Sequence, residues 1–188
     1  MAHAGYFRRR LADFPRHGGN ISVRLDQNHK THRQYSPSII AIDYRGYGRP
    51  EGEPPEEGMY LDATATYELN RKLHPGKKIV VFGRSMCGAV AAHLAKDVSR
   101  TALVLEAAIS SLRYAMHEQV PLTRFLPRYL IMRSKLETTK HVSTRLVPTL
   151  ILHGNSYQTV SVENTHRIFE AAPKPKQMHI LRVATTTI

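Results

Sequence analysis

The feature that most constrains this chain is an alternation of short apolar runs with helical repeats. The runs are Ser38–Tyr44, Lys78–Gly83, Thr101–Leu105 and Val147–His153, with a weaker fifth at Met178–Val183. Runs this short, rich in β-branched residues and apolar on both faces, suit parallel strands buried inside a sheet. Between them the spacing changes. From Pro55 to His74, Leu61, Ala65, Leu69 and Leu73 recur every fourth residue, a stripe expected to face the core. Glu56 and Glu57 begin that helix and Lys72 lies near its end, as the helix dipole favours, before Pro75-Gly76 stops it. Further helices are expected from Ser85 to Lys96, where Ala89, Ala91, Ala92 and Ala95 allow close packing, and from Val162 to Ala172, ended by Pro173. Strand–helix–strand alternation implies crossover units and a mostly parallel sheet with helices on both faces, an α/β three-layer sandwich.

The stretch from about 110 to 142 breaks the rhythm with Pro121, Pro127, Phe125 and Tyr129. It is too short for its own core and reads as a helical insertion over the strand ends. The expected organisation is therefore a single domain over 1–188, and 188 residues suffice for a core without disulfides. The lone cysteine, Cys87, excludes an internal disulfide and a cysteine-based zinc site. The 11 histidines show no metal-ligand spacing, so no metal or cofactor is expected. No run approaches the ~18 apolar residues of a membrane span.

Charge admits a further class. Lys and Arg number 27 against 15 Asp and Glu, a net +12, which would suit nucleic acid or an anionic membrane. The basic residues are scattered, however, and no RNA-binding aromatic signature, zinc-finger spacing or basic region leading into heptads is present. A generally basic surface is the expectation, with no nucleic-acid partner and peripheral membrane contact left open. The Arg8-Arg9-Arg10 head is followed by no apolar segment and no cleavage site, so it is not read as a secretory signal, and an intracellular location is expected.

Gly83-Arg84-Ser85-Met86-Cys87 follows one expected strand and opens a helix. It is one residue short of G-x-S-x-G, the sharp turn that exposes a nucleophilic serine, with Cys87 where the second glycine belongs. The backbone N–H of Met86, at a helix N-terminus, could donate to a developing oxyanion. An ordinary strand-to-helix turn with a serine N-cap fits the same residues.

The order of motifs resembles the α/β-hydrolase superfamily, and within it the α/β-hydrolase domain-containing serine hydrolases. The residues that carry the resemblance are His17-Gly18-Gly19-Asn20-Ile21-Ser22, Ile42-Asp43-Tyr44-Arg45-Gly46-Tyr47-Gly48, Glu56-Glu57-Gly58-Met59-Tyr60-Leu61-Asp62-Ala63 and Phe82-Gly83-Arg84-Ser85-Met86-Cys87-Gly88-Ala89. Leu152-His153-Gly154 and Phe169-Glu170-Ala171-Ala172-Pro173 follow in the expected order. The resemblance runs from about residue 14 to 183. It implies that Ser85 attacks an ester or thioester carbonyl of a small acyl substrate, with backbone N–H donors at Met86 and at or beside His17. A Gly-rich turn opening a helix at Asn20 fits that last segment equally well.

The rest of the family's triad is not filled. Tyr157 occupies the position of the acid after His153-Gly154, and a phenol is neutral at pH 7. Glu163 is expected to face water, and Glu106, at a strand end, is a conceivable relocated acid. The family histidine belongs after the last strand. His179 is expected to lie before that turn, His93 inside a helix as a packing or surface residue, and His153 at a strand end as a structural one. Both ends therefore look incomplete, lacking the first antiparallel strands and the last helix. Two outcomes are expected: an impaired serine hydrolase, or a catalytically inactive homologue acting as a binding or interaction protein.

Overall fold

In the computed structural model, residues 10–14, 29–30, 32–34, 38–41, 56–99, 101–120, 134–144, 146–155 and 157–182 are described. Six strands, β1 (Arg10–Phe14), β2 (Ser38–Ala41), β3 (Ile79–Arg84), β4 (Thr101–Glu106), β5 (Thr149–Gly154) and β6 (Lys176–Leu181), form one sheet in the order β2-β1-β3-β4-β5-β6. Every pair is parallel. The last four strands match the expected runs to within two residues, and β2 begins the first. β1 is an addition: its Arg and Asp hide it among charged residues, yet it lies in the sheet interior beside β3.

The helices that follow β2 are α1 (Glu56–Leu73), α2 (Cys87–Asp97), α3 (Leu112–Gln119), α4 (Thr138–Ser143) and α5 (Val162–Ala171), and residues 29–30 and 32–34, between β1 and β2, are also helical. From β3 onward the chain steps steadily across the sheet, through α2 to β4 and through α5 to β6. Right-handed crossovers place such successive helices on the same face. α1 touches α2, α2 touches α4, and α4 touches α5, so these helices form a continuous layer. Ala89, Ala91, Ala92 and Ala95 are at most 1% exposed, which lets α2 sit close against β3 and β4.

α1 corrects one expectation. Its Leu61, Leu69 and Leu73 are 63%, 51% and 57% exposed, while the buried face runs through Met59, Ala63, Tyr67 and Asn70. Two stripes of equal period compete on this helix. The one carrying Tyr67 wins, since its hydroxyl donates to the Ser99 carbonyl at 2.9 Å. The helix charges fall as expected, with Glu56 and Glu57 in the first turn and Arg71 and Lys72 in the last. Gly76 then turns the chain at φ 73°, a left-handed value that suits glycine.

Within the expected insertion, residues 134–139 return to the body. Lys135 and Leu136 donate backbone N–H groups to the Glu56 carboxylate at 2.6 and 3.2 Å, and Leu112 N–H donates to the Lys135 carbonyl at 3.1 Å. Glu56 also accepts from the Tyr60 hydroxyl. One carboxylate at the start of α1 thus secures a turn about 80 residues away in sequence, at Leu136, whose φ is 42°. No helix among the described residues is long and apolar enough to cross a membrane.

Candidate active site

The sheet's winding reverses between β1 and β3: the chain goes outward from β1 to β2, then crosses back to β3. In parallel α/β sheets, ligands bind beyond the strand C-termini at such a reversal. Ser85 stands there, at the end of β3. Its φ is 54°, a left-handed conformation that costs a non-glycine residue about 1–2 kcal/mol and persists only when its surroundings enforce it. The enforcement is visible. Ser85 N–H donates to the Glu106 carbonyl at 3.0 Å, and the Ser85 carbonyl accepts from Gly88 N–H at 3.1 Å and Ile109 N–H at 3.3 Å.

Two glycines make the turn possible by what they omit. A Cβ on Gly83 would lie 2.6 Å from the Ala91 Cβ, 2.7 Å from the Cys87 carbonyl oxygen and 2.8 Å from the Gly88 Cα. On Gly88 it would lie 2.5 Å from the Ala108 Cβ. The second close approach therefore falls on Gly88, while Cys87, at the motif's second glycine position, fits fully buried.

Ser85 and Met86 border a cavity of about 310 Å³, at the lower end of the range for small-molecule sites. Ile109 and Val160 line it, and Leu112, Ala115 and Met116 of α3, with Val120 just past its end, form one wall. The expected insertion thus contributes an apolar wall beside Ser85, which is itself 7% exposed. Met86 N–H, at the start of α2, takes part in no hydrogen bond among the described residues. His17, the other expected donor position, lies outside the described residues.

The remaining candidates are spread apart. The Glu106 carboxylate is held by Arg84, whose Nε and Nη2 donate at 2.9 and 2.6 Å. His153 is 1% exposed with Nδ1 2.8 Å from Thr165 Oγ1, the structural role expected for it, and burial lowers its pKa. His93 is a packing residue. Two turns along α2 from Ser85, it stacks on Tyr60 with ring centroids 3.6 Å apart and meets His141 edge-on at 4.9 Å. Burial is the main cause that lowers the pKa of both imidazoles, of His141 to about 4. Glu163 is solvent-exposed as expected, and His179 is exposed on β6. Tyr157 is part-buried and packs edge-on near His153 at 6.3 Å. Among the described residues no histidine hydrogen-bonds to Ser85, and no cluster of His, Cys, Asp and Glu could hold a metal.

A protein-family model described as serine aminopeptidase, S33, matches residues 33–145, more than half of the chain. The chain belongs to the α/β-hydrolase superfamily. Its relatives include α/β-hydrolase domain-containing proteins of Arabidopsis thaliana and Caenorhabditis elegans. The zebrafish (Danio rerio) lysophosphatidylserine lipase ABHD12 is 26% identical over 180 residues, covering 86% of this chain and 46% of its own. A Mycobacterium tuberculosis protein, MT2364, is 31% identical over 143 residues, 74% of this chain and 50% of its own. The chain spans about half the length of the curated relatives it matches. Among solved structures, the Pyrococcus furiosus esterase Pf2001 superposes with a TM-score of 0.71 over 94% of this chain and 73% of its own, at 14% identity, a likeness of fold alone. The α/β-hydrolase fold anticipated from the motif order is the one the sheet adopts. The network that supports Ser85 from behind, by contrast, joins residues far apart in sequence and has no local signal.

Proposed function

We propose that this α/β-hydrolase is a serine hydrolase acting on an ester or thioester, with Ser85 as nucleophile. One observation carries the reading: a serine held at φ 54° on the rim of an apolar cavity, beside a helix N-terminus. In the reaction, Ser85 Oγ adds to the acyl carbonyl and the carbonyl electron pair moves to oxygen. Met86 N–H is the donor for that oxyanion, with the backbone at His17 the second. Collapse expels the alcohol or thiol and leaves an acyl-Ser85 ester, which water hydrolyses. In acylation the Oγ proton passes to a base and on to the departing oxygen or sulfur; in deacylation the attacking water gives its proton to that base, and Ser85 Oγ takes one back as it leaves. The apolar wall of α3 fits the acyl chain, and the lipase among the relatives agrees with an apolar acyl group. The chain is read as one domain, with the α3 side as its cap over the strand ends.

A second reading is favoured by the absence of a histidine bonded to Ser85 among the described residues: a homologue that binds its ligand and turns it over poorly, if at all. Without a triad member, hydrolases retain a residual catalysis of about 10³–10⁴ over water. Labelling with a fluorophosphonate probe and p-nitrophenyl ester turnover, each compared with Ser85→Ala, separates the two. Ser85-dependent labelling with turnover supports the enzyme, and neither signal supports the binding protein.

A further inference from the structure

Asn164, on α5, is completely buried, and all of its side-chain hydrogen bonds go to elements around the candidate site. Its Oδ1 accepts from both the backbone N–H and the hydroxyl of Ser110, at 2.8 and 2.9 Å. Its Nδ2 donates to Glu118 Oε2 at 2.8 Å and to Ser161 Oγ at 3.2 Å. Ser161 in turn donates to Glu118 Oε1.

The two ends of this amide reach different parts of the site. Ser110 closes the 107–110 turn, which backs Ser85. Ile109 N–H there donates to the Ser85 carbonyl, Ala108 fills the space left by Gly88, and Ala107 is held at φ 44°. A strained turn of this kind stays in place only if fixed from outside: Ala107 N–H donates to the Leu152 carbonyl at 2.8 Å, the Ser110 carbonyl accepts from Thr139 N–H at 3.2 Å, and the Ser110 N–H and hydroxyl are held by Asn164. Glu118 lies in the last turn of α3, the helix that supplies the apolar wall, and the adjacent Gln119 amide donates to the Thr159 carbonyl at 3.1 Å. A carboxylate accepting two hydrogen bonds makes a stronger tether than a neutral acceptor would.

From this geometry we infer that Asn164 is a positioning residue, setting Ser85 through Ser110 and the α3 wall through Glu118. The inference rests on the serine-hydrolase reading only for its effect on chemistry; the network itself stands apart from it. Being buried, the amide leaves the Ser110 donors unsatisfied when its oxygen is removed and costs Glu118 an N–H donor when its NH2 is removed.

Three variants separate the two arms: Asn164→Asp, Ser110→Ala and Glu118→Ala. Each is followed by amide hydrogen exchange and by the labelling rate of Ser85 with two fluorophosphonates that differ only in alkyl length. Asn164→Asp sets a carboxylate against Glu118. At pH 8 it speeds exchange in 112–119 while leaving 107–110, whose acceptor Oδ1 it keeps, and β3 and β4 protected, and it slows labelling by the long-chain probe about 10-fold, the scale expected when a binding wall is misplaced by a fraction of an ångström. Ser110→Ala loosens 107–110 alone and decides the elbow arm, whether or not the Asp variant folds. Glu118→Ala loosens 112–119 alone and slows only the long-chain probe, a selectivity that general destabilisation would not produce. Unchanged exchange over 112–119 in the Asn164 variant or over 107–110 in the Ser110 variant, or a uniform loss of protection across the sheet, overturns the inference. Absence of labelling in the wild type refutes the hydrolase reading instead, and the exchange pattern still decides the network.

Discussion

Replacing Gly83 by alanine tests whether α2 is seated on β3 as closely as the elbow requires. The added Cβ would meet three atoms at 2.6–2.8 Å, a methyl carbon, a backbone carbonyl oxygen and a backbone Cα, where non-bonded carbons ordinarily keep about 3.5–4.0 Å. None of the three ends a flexible side chain, so relief requires the first turn of α2 to retreat by about 1 Å from the strand. Overpacking of this kind costs about 1–3 kcal/mol and occasionally more. Because the shift also disturbs the close alanine packing of α2, the upper figure applies, and in a domain of this size about 3 kcal/mol lowers Tm by 6–12 °C. Gly76→Ala is the control: nothing lies within 4 Å of its Cβ, so only its φ of 73° resists, costing about 1 kcal/mol. Urea denaturation followed by far-UV circular dichroism, with m compared across the variants, measures both. A Gly83→Ala protein within 0.5 kcal/mol of wild type, or less perturbed than Gly76→Ala, would refute the tight seating of the elbow.

Two further outcomes follow from the site and its surroundings. At Ser85, glycine relieves the left-handed strain and alanine does not, so Ser85→Gly is expected to be more stable than Ser85→Ala by about 1 kcal/mol in calorimetry. His141, which faces Tyr60, His93, Glu56, Lys96 and Lys140, is held neutral down to about pH 4 in the folded protein, chiefly by burial and then by His93. The unfolded chain, with its imidazole near 6.5, binds the proton first, so stability is greatest above pH 6.5 and falls from there towards pH 4. At full weight the drop would be about 3.4 kcal/mol. Solvent screening of this part-buried ring reduces it to about 1–2 kcal/mol. His141→Gln should flatten the Tm profile over that pH window, and an unchanged profile would contradict the burial of the ring.

What the sequence disclosed was what is local. β3, β4 and β5 are apolar runs bounded by turn residues, and the Gly83–Ser85 turn is a contiguous motif, so both were legible. α1 was found but turned the wrong way, because Leu61-Leu69-Leu73 and Met59-Ala63-Tyr67 share one period and only the tertiary hydrogen bond of Tyr67 distinguishes them. β1 was missed because a strand whose residues include Arg10 and Asp13 carries little hydrophobic signal. The elbow's support was illegible for another reason. Ser110 and Asn164 are 54 residues apart, and Glu118 and Asn164 are 46. A buried asparagine in an amphipathic helix looks no different in sequence from one that faces water.

The position of Cys87 has a practical consequence. The chain's sole thiol is fully buried in the first turn of α2, two residues beyond Ser85. A thiol reagent therefore reacts only when that turn lifts away from the sheet, and its rate is a clock for the opening of this one place. No label or engineered reporter has to be introduced to read it.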